Sequence, residues 1–68
     1  MMRISYKRLW KLLIDRDIKK KDLCYMAGVS HSSMAKLGRG ENITTDVLLK
    51  ICAALSCDLT DIMEIVYE

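Results

Sequence analysis

The residues whose types could do chemistry fall into two short runs. One is Lys19-Lys20-Lys21. The other is Ser30-His31-Ser32-Ser33, followed by Lys36, Arg39 and Asn42. Ammonium and guanidinium groups donate hydrogen bonds to anionic oxygens. Serine hydroxyls donate or accept, histidine does either, and the asparagine amide does both. This is the chemistry of holding a polyanion and reading polar edges on it. Bond-making catalysis calls for other groups.

Catalytic constellations are missing from the pattern. No glycine-rich phosphate loop and no pair of carboxylates with a base stand out. Cys24 and His31 are close in sequence, but Cys24 is expected to pack on a helix as an unactivated thiol. The chain is therefore not expected to be an enzyme. Cys24, Cys52 and Cys57 are odd in number and form no C-x-x-C pair, so they suggest three reduced, buried thiols and no disulfide framework. With a single histidine, no metal site is expected, and no cofactor or small-molecule ligand is evident.

The chain has 68 residues, enough for one domain spanning residues 1–68. It is 51% hydrophobic, too apolar for a disordered tail. Its apolar runs fall well short of the ~20 residues of a membrane helix. Met1-Met2-Arg3 is not followed by an unbroken apolar region, so no signal peptide is expected and the expected location is the cytoplasm. The net charge of +2 hides a strong asymmetry. Residues 1–40 carry ten basic side chains against three acidic ones, a balance of +7; residues 41–68 carry one lysine against six carboxylates, a balance of −5. One half is suited to facing a polyanion. The bland alternative is a solvated surface with chance clustering.

Five helices and no strands would position these groups. The first spans about 5–16, capped by Ser5, with Tyr6, Leu9 and Leu13 inward, Trp10 and Ile14 beside them, and Ile18 folding back onto the core. The second spans 20–27, with Leu23, Met26 and Ala27 inward, and stops at Gly28, which suits the left-handed backbone that ends many helices. The third spans 30–37, capped by Ser30, with Met34 and Leu37 inward and Val29 packing before it. Gly38-Arg39-Gly40 ends it. The fourth starts after Thr44 or Thr45, carries Asp46 in its first turn, and runs to about Ser56 with Val47, Leu48, Ile51, Cys52 and Leu55 inward. The fifth, about 59–65, follows an Asp58/Asp61 capping pair.

Residues 23–37 thus read as helix, glycine turn, serine-capped helix, the helix-turn-helix pattern. An ordinary helical hairpin with a glycine is the competing reading. The outward face sharpens the choice. With Met34 and Leu37 inward, Ser32, Lys36 and Arg39 point outward, flanked by His31 and Ala35. Small polar residues followed by long cations suit a DNA major groove. Lys19-Lys20-Lys21 opposes the dipole of the helix it starts, an arrangement that an anionic phosphate there would favour.

Residues 23–55 resemble the DNA-binding domain of the Cro and phage repressor (Xre-type) helix-turn-helix regulators. The matching residues are Leu23, Ala27-Gly28-Val29-Ser30, Met34, Leu37, Gly40, Leu48, Ile51, Leu55 and Asp61-Ile62, and the helix over 6–13 fits as well. The resemblance implies an all-α, five-helix lambda-repressor-like fold with its helix-turn-helix at about 20–27 and 30–37. It implies that helix 30–37 enters the major groove and that Lys20 contacts DNA from the start of the preceding helix. It further implies that His31, Ser32 and Lys36 read bases and that the loop 39–42 meets the backbone. A glutamine is frequent in the family at the position of Lys20, a polar or acidic residue at Gly38, and Ala35 offers no hydrogen bond. Reading is therefore expected to lean on phosphate contacts and DNA shape.

The expected function is sequence-specific binding of double-stranded DNA by a transcriptional regulator, a repressor, through Lys19, Lys20, Lys21, Ser30, His31, Ser32, Ser33, Lys36, Arg39 and Asn42. Ile62, Met63, Ile65, Val66 and Tyr67 are the candidate surface for a homodimer; ordinary packing under the first helix is the alternative. The rival function is a protein-interaction module on the same fold, such as an antitoxin or a partner-dependent regulator.

Overall fold

A computed structural model describes residues 1–67. In chain order the elements are β1 (Met2–Ser5), α1 (Lys7–Asp15), α2 (Lys20–Ala27), α3 (His31–Gly38), α4 (Thr45–Leu55), a single 3₁₀ turn (Leu59–Asp61) and β2 (Glu64–Tyr67). The architecture is a four-helix body with a two-stranded antiparallel sheet that joins residues 2–5 to residues 64–67.

That sheet corrects the expectation of five helices and no strands. The segment 59–65 makes one 3₁₀ turn and then extends. The expected Asp58/Asp61 capping box is present, with Asp61 Oδ2 accepting the Asp58 backbone N–H at 2.9 Å, but the turn closes at once. Ile65, Val66 and Tyr67 are strand-forming types, and β1 supplies their partner: Ile4 pairs with Ile65 and Met2 with Tyr67. β1 also takes Ser5 out of α1. Ser5 is buried and ends the strand, α1 begins at Lys7, and the Ser5 hydroxyl accepts the Lys7 N–H at 3.4 Å.

The core draws on every helix. Leu9, Leu23, Leu37, Ile51, Leu55 and Ile62 are fully buried, and Tyr6, Leu13, Val29, Met34 and Leu48 pack with them. Burying one such side chain stabilises the fold by about 1.5–3 kcal/mol. Two further expectations change here. Met26 is half-exposed, and α2 buries Cys24 beside Leu23 instead. Ile14 lies out in solvent. Ile18 packs against the core as expected. Ile62, named above as a partner contact, is part of the core and offers nothing to a second molecule.

Two arginines of the basic half serve the fold. The Arg16 guanidinium donates to the Leu55 carbonyl at the end of α4. Arg8 donates to the Thr60 carbonyl at 2.8 Å and pairs with Glu64 at 3.0 Å, tying α1 to the 3₁₀ turn and β2.

Gly28 ends α2 with φ 68° and ψ 34°, in the left-handed region. Gly38 sits inside α3 without a positive φ, and the left-handed residue after that helix is Gly40, φ 71°. A Cβ at Gly28 or Gly38 would meet no atom within 4 Å, so backbone strain alone separates their substitutions. Gly28→Ala is expected to destabilise by about 1–2 kcal/mol, and Gly38→Ala to stabilise by about 0.5–1 kcal/mol. Thermal melts of the two variants check this: Tm should fall for the first and rise for the second.

Candidate nucleic-acid interface

The polar surface is built on α2, the Gly28 turn and α3. The left-handed residue lets the Val29 N–H reach back to the Cys24 carbonyl at 3.0 Å and turns the chain into α3. Ser30 is the cap of α3, its Oγ accepting the Ser33 N–H at 3.1 Å. Met34 and Leu37 anchor the inner side of α3. His31, Ser32, Ala35, Lys36 and Arg39 are exposed on the other side, as their spacing predicts.

Ser30 and Ser33 are engaged with each other. The Ser30 hydroxyl donates to Ser33 Oγ at 3.1 Å, and Ser33 is half-buried. Arg39 caps the end of α3 and ion-pairs with the Glu41 carboxylate, which lies in the same loop as exposed Asn42.

At the start of α2, Lys19 is in extended conformation with no side-chain cap, Lys20 is the first helical residue, and Lys21 follows, all three exposed. Lys20 Nζ lies 4.4 Å from the centroid of the Trp10 ring, a cation–π contact between α1 and α2. Nothing in the local periodicity of either helix announces it. Tyr25, 92% exposed, stands with Lys21 and His31 around a shallow depression, and was equally hidden to pattern reading. A second depression of about 300 Å³ brings Lys7 and Trp10 of α1 beside Gly38, Arg39 and Gly40.

Of the three thiols, Cys24 backs the depression beside Tyr25, and Cys52 and Cys57 lie away from this surface. Cys24 and Cys52 are buried. Burial pushes the Cys57 thiol up to about 11, helped by the neighbouring Cys52 thiol, which keeps it protonated and unreactive at neutral pH. Among the described residues no group of three or more His, Cys, Asp or Glu side chains could hold a metal ion. Among the described residues no helix is long and apolar enough to cross a membrane.

A serine-capped helix with an exposed polar face, set by a glycine turn on a lysine-started helix, defines a helix-turn-helix DNA-binding domain. The family model of the Cro/C1-type helix-turn-helix DNA-binding domain matches residues 8–68, and the chain belongs to that family, which is not an enzyme family. Among solved structures the chain is similar to the transcriptional regulator VanUg (crystal form II). The identity is 57% and the TM-score 0.93, over 98% of this chain and 89% of that one. No curated protein matches the chain.

The serines separate a structural from a surface role. Ser30→Ala removes the α3 cap and should cost about 1 kcal/mol. Ser32→Ala, on the exposed face, should stay within about 0.5 kcal/mol. Urea unfolding of both variants measures the contrast.

Proposed function

We propose that this chain is a transcriptional regulator that binds double-stranded DNA sequence-specifically and acts as a repressor, with α3 in the major groove. The observation that carries this reading is the sidedness of α3. Met34 and Leu37 are locked into the core, while His31, Ser32 and Lys36 stand exposed on a helix whose cap and turn fix its direction. Lys36 is long enough to reach the acceptor edge of a guanine, and Ser32 and His31 are short enough for close approach. Lys19, Lys20 and Lys21 at the start of α2, with Ser30, Ser33, Arg39 and Asn42 around α3, would lie along the phosphate backbone and set the register without reading bases. The likeness to VanUg, a transcriptional regulator, supports a regulatory role.

One such helix reads few base pairs, so the reading includes a two-fold dimer. Of the apolar residues near the end of the chain, Ile65 and Tyr67 are 53% and 77% exposed, and Met2 is exposed opposite Tyr67. Met63 and Val66 are half-buried and would contribute less. The reading includes a cytoplasmic location.

Selection from a random duplex library at about 0.1 M salt, a regime with real screening, tests the proposal. The expected result is an enriched palindrome with half-sites about one helical turn apart. Lys36→Ala should then lose about 1–3 kcal/mol on the selected duplex and relax preference at one base position. Binding without enrichment, or equal loss for Lys36→Ala on selected and random duplexes, would refute base reading by α3. No binding at all would favour the protein-interaction module.

A further inference from the structure

We propose that Trp10 is the floor of a seat for one backbone phosphate of duplex DNA, with Lys20 held on its ring and Lys7 beside it. The proposal rests on the DNA-binding reading and adds two residues of α1 to it. The helix-turn-helix motif does not itself point to α1.

Three observations converge on the ring. Lys20 Nζ lies 4.4 Å from its centroid, well inside cation–π range, and Trp is the most favourable ring for this contact. A surface lysine otherwise loses substantial rotamer freedom on binding an anion. Resting on the indole, Lys20 has lost part of it beforehand, and N–H donors on the side away from the ring remain for a phosphate oxygen.

Lys7 stands one turn before Trp10 on α1, on the same face of the helix. Both line the depression of about 300 Å³ that Gly38, Arg39 and Gly40 close from the α3 side. No carboxylate is among the described residues lining it. Glu41 reaches Arg39 from outside. Arg39 is thus already paired, so Lys7 at the wall and Lys20 on the Trp10 ring are the ammonium groups an incoming anion would meet here.

The third observation is access. Gly38 and Gly40 bring no side chains to this wall, and a Cβ on either would meet nothing within 4 Å. The opening adjoins the end of α3. A sugar–phosphate strand can therefore run from the groove occupied by α3 into the depression. This continuity favours a DNA phosphate over a free anion. Trp10 acts through Lys20 and is a positioning residue; Lys7 and Lys20 are the contacts.

The test is a salt titration of binding to a labelled random-sequence duplex of about 20 base pairs, between about 50 and 200 mM salt. Wild type is compared with Lys7→Gln, Lys20→Gln, Trp10→Leu and the Trp10→Leu/Lys20→Gln double variant. Lys7→Gln and Lys20→Gln should each lower the salt slope by about one. Trp10→Leu should weaken binding about two- to fivefold, the worth of an exposed cation–π contact. Lys20→Gln should then cost less in the Trp10→Leu background than in wild type. If circular dichroism shows Trp10→Leu unfolded, Trp10→Phe carries the same cycle with a smaller coupling of the same sign. An unchanged slope for Lys7→Gln, or an equal cost of Lys20→Gln in both backgrounds, overturns the seat while wild-type binding stands. Failure of wild type to bind the duplex at about 50 mM salt would remove the DNA reading and the seat together.

Discussion

The geometry of the polar surface depends on one turn, the left-handed residue at Gly28 that joins α2 to α3. A residue there without a Cβ reverses the chain without steric cost, and Ser30 starts the next helix at once. The turn alone would hinge. Buried side chains on either side of it fix the angle: Leu23 on α2, Val29 in the turn and Leu37 on α3 share one core with Ile51 and Leu55 of α4. The exposed face of α3 is therefore presented by a rigid support. Such support is what a helix needs if short side chains are to meet base edges at hydrogen-bond distance.

Electrostatics divides the molecule in a way that charge counting only approximates. Arg8 and Arg16 belong to the basic half, yet both bind backbone carbonyls in the acidic half and hold α1 against the end of α4 and the 3₁₀ turn. Arg39 is partly neutralised by Glu41. The cations left for a polyanion are largely lysines: Lys19, Lys20 and Lys21 on α2, Lys36 on α3 and Lys7 on α1. Lysine is a compact, strongly hydrated charge on a flexible stem, suited to phosphate contacts more than to planar two-pronged recognition. That composition fits a protein whose affinity comes mainly from the backbone, with Lys36 and the short polar residues of α3 adding selectivity. Carboxylates of the acidic half sit on α4, the 3₁₀ turn and β2, where Asp46 pairs with Lys50 and Glu64 with Arg8, while Asp15 on α1 and Asp22 on α2 stand in the basic half.

What could be read from the sequence was what neighbouring residues decide. The bounds of α2, the left-handed Gly28, the Ser30 cap, the start of α4 after Thr44 and the outward set on α3 all follow from signals within a few residues. What could not be read needed partners far along the chain. Ile65-Val66-Tyr67 has the types of a strand, but a strand requires a neighbour, and β1 lies at the opposite end of the sequence. Without it, the apolar spacing passed for a helix. The Trp10–Lys20 contact is likewise tertiary. Met26 failed for a subtler reason. α2 makes little more than two turns, so the direction of its apolar stripe is poorly determined, and the small Cys24 thiol took the buried place.

The central claim is that duplex DNA meets the α2–α3 surface, with α3 as the reading element. Backbone amide shifts followed by NMR during titration with a short duplex test it most directly. The largest changes are expected at Lys19–Lys21, Ser30–Ser33 and Lys36–Asn42, with Ile65–Tyr67 changing little beyond any dimer contacts. Changes concentrated on β1 and β2 with α3 silent would contradict it.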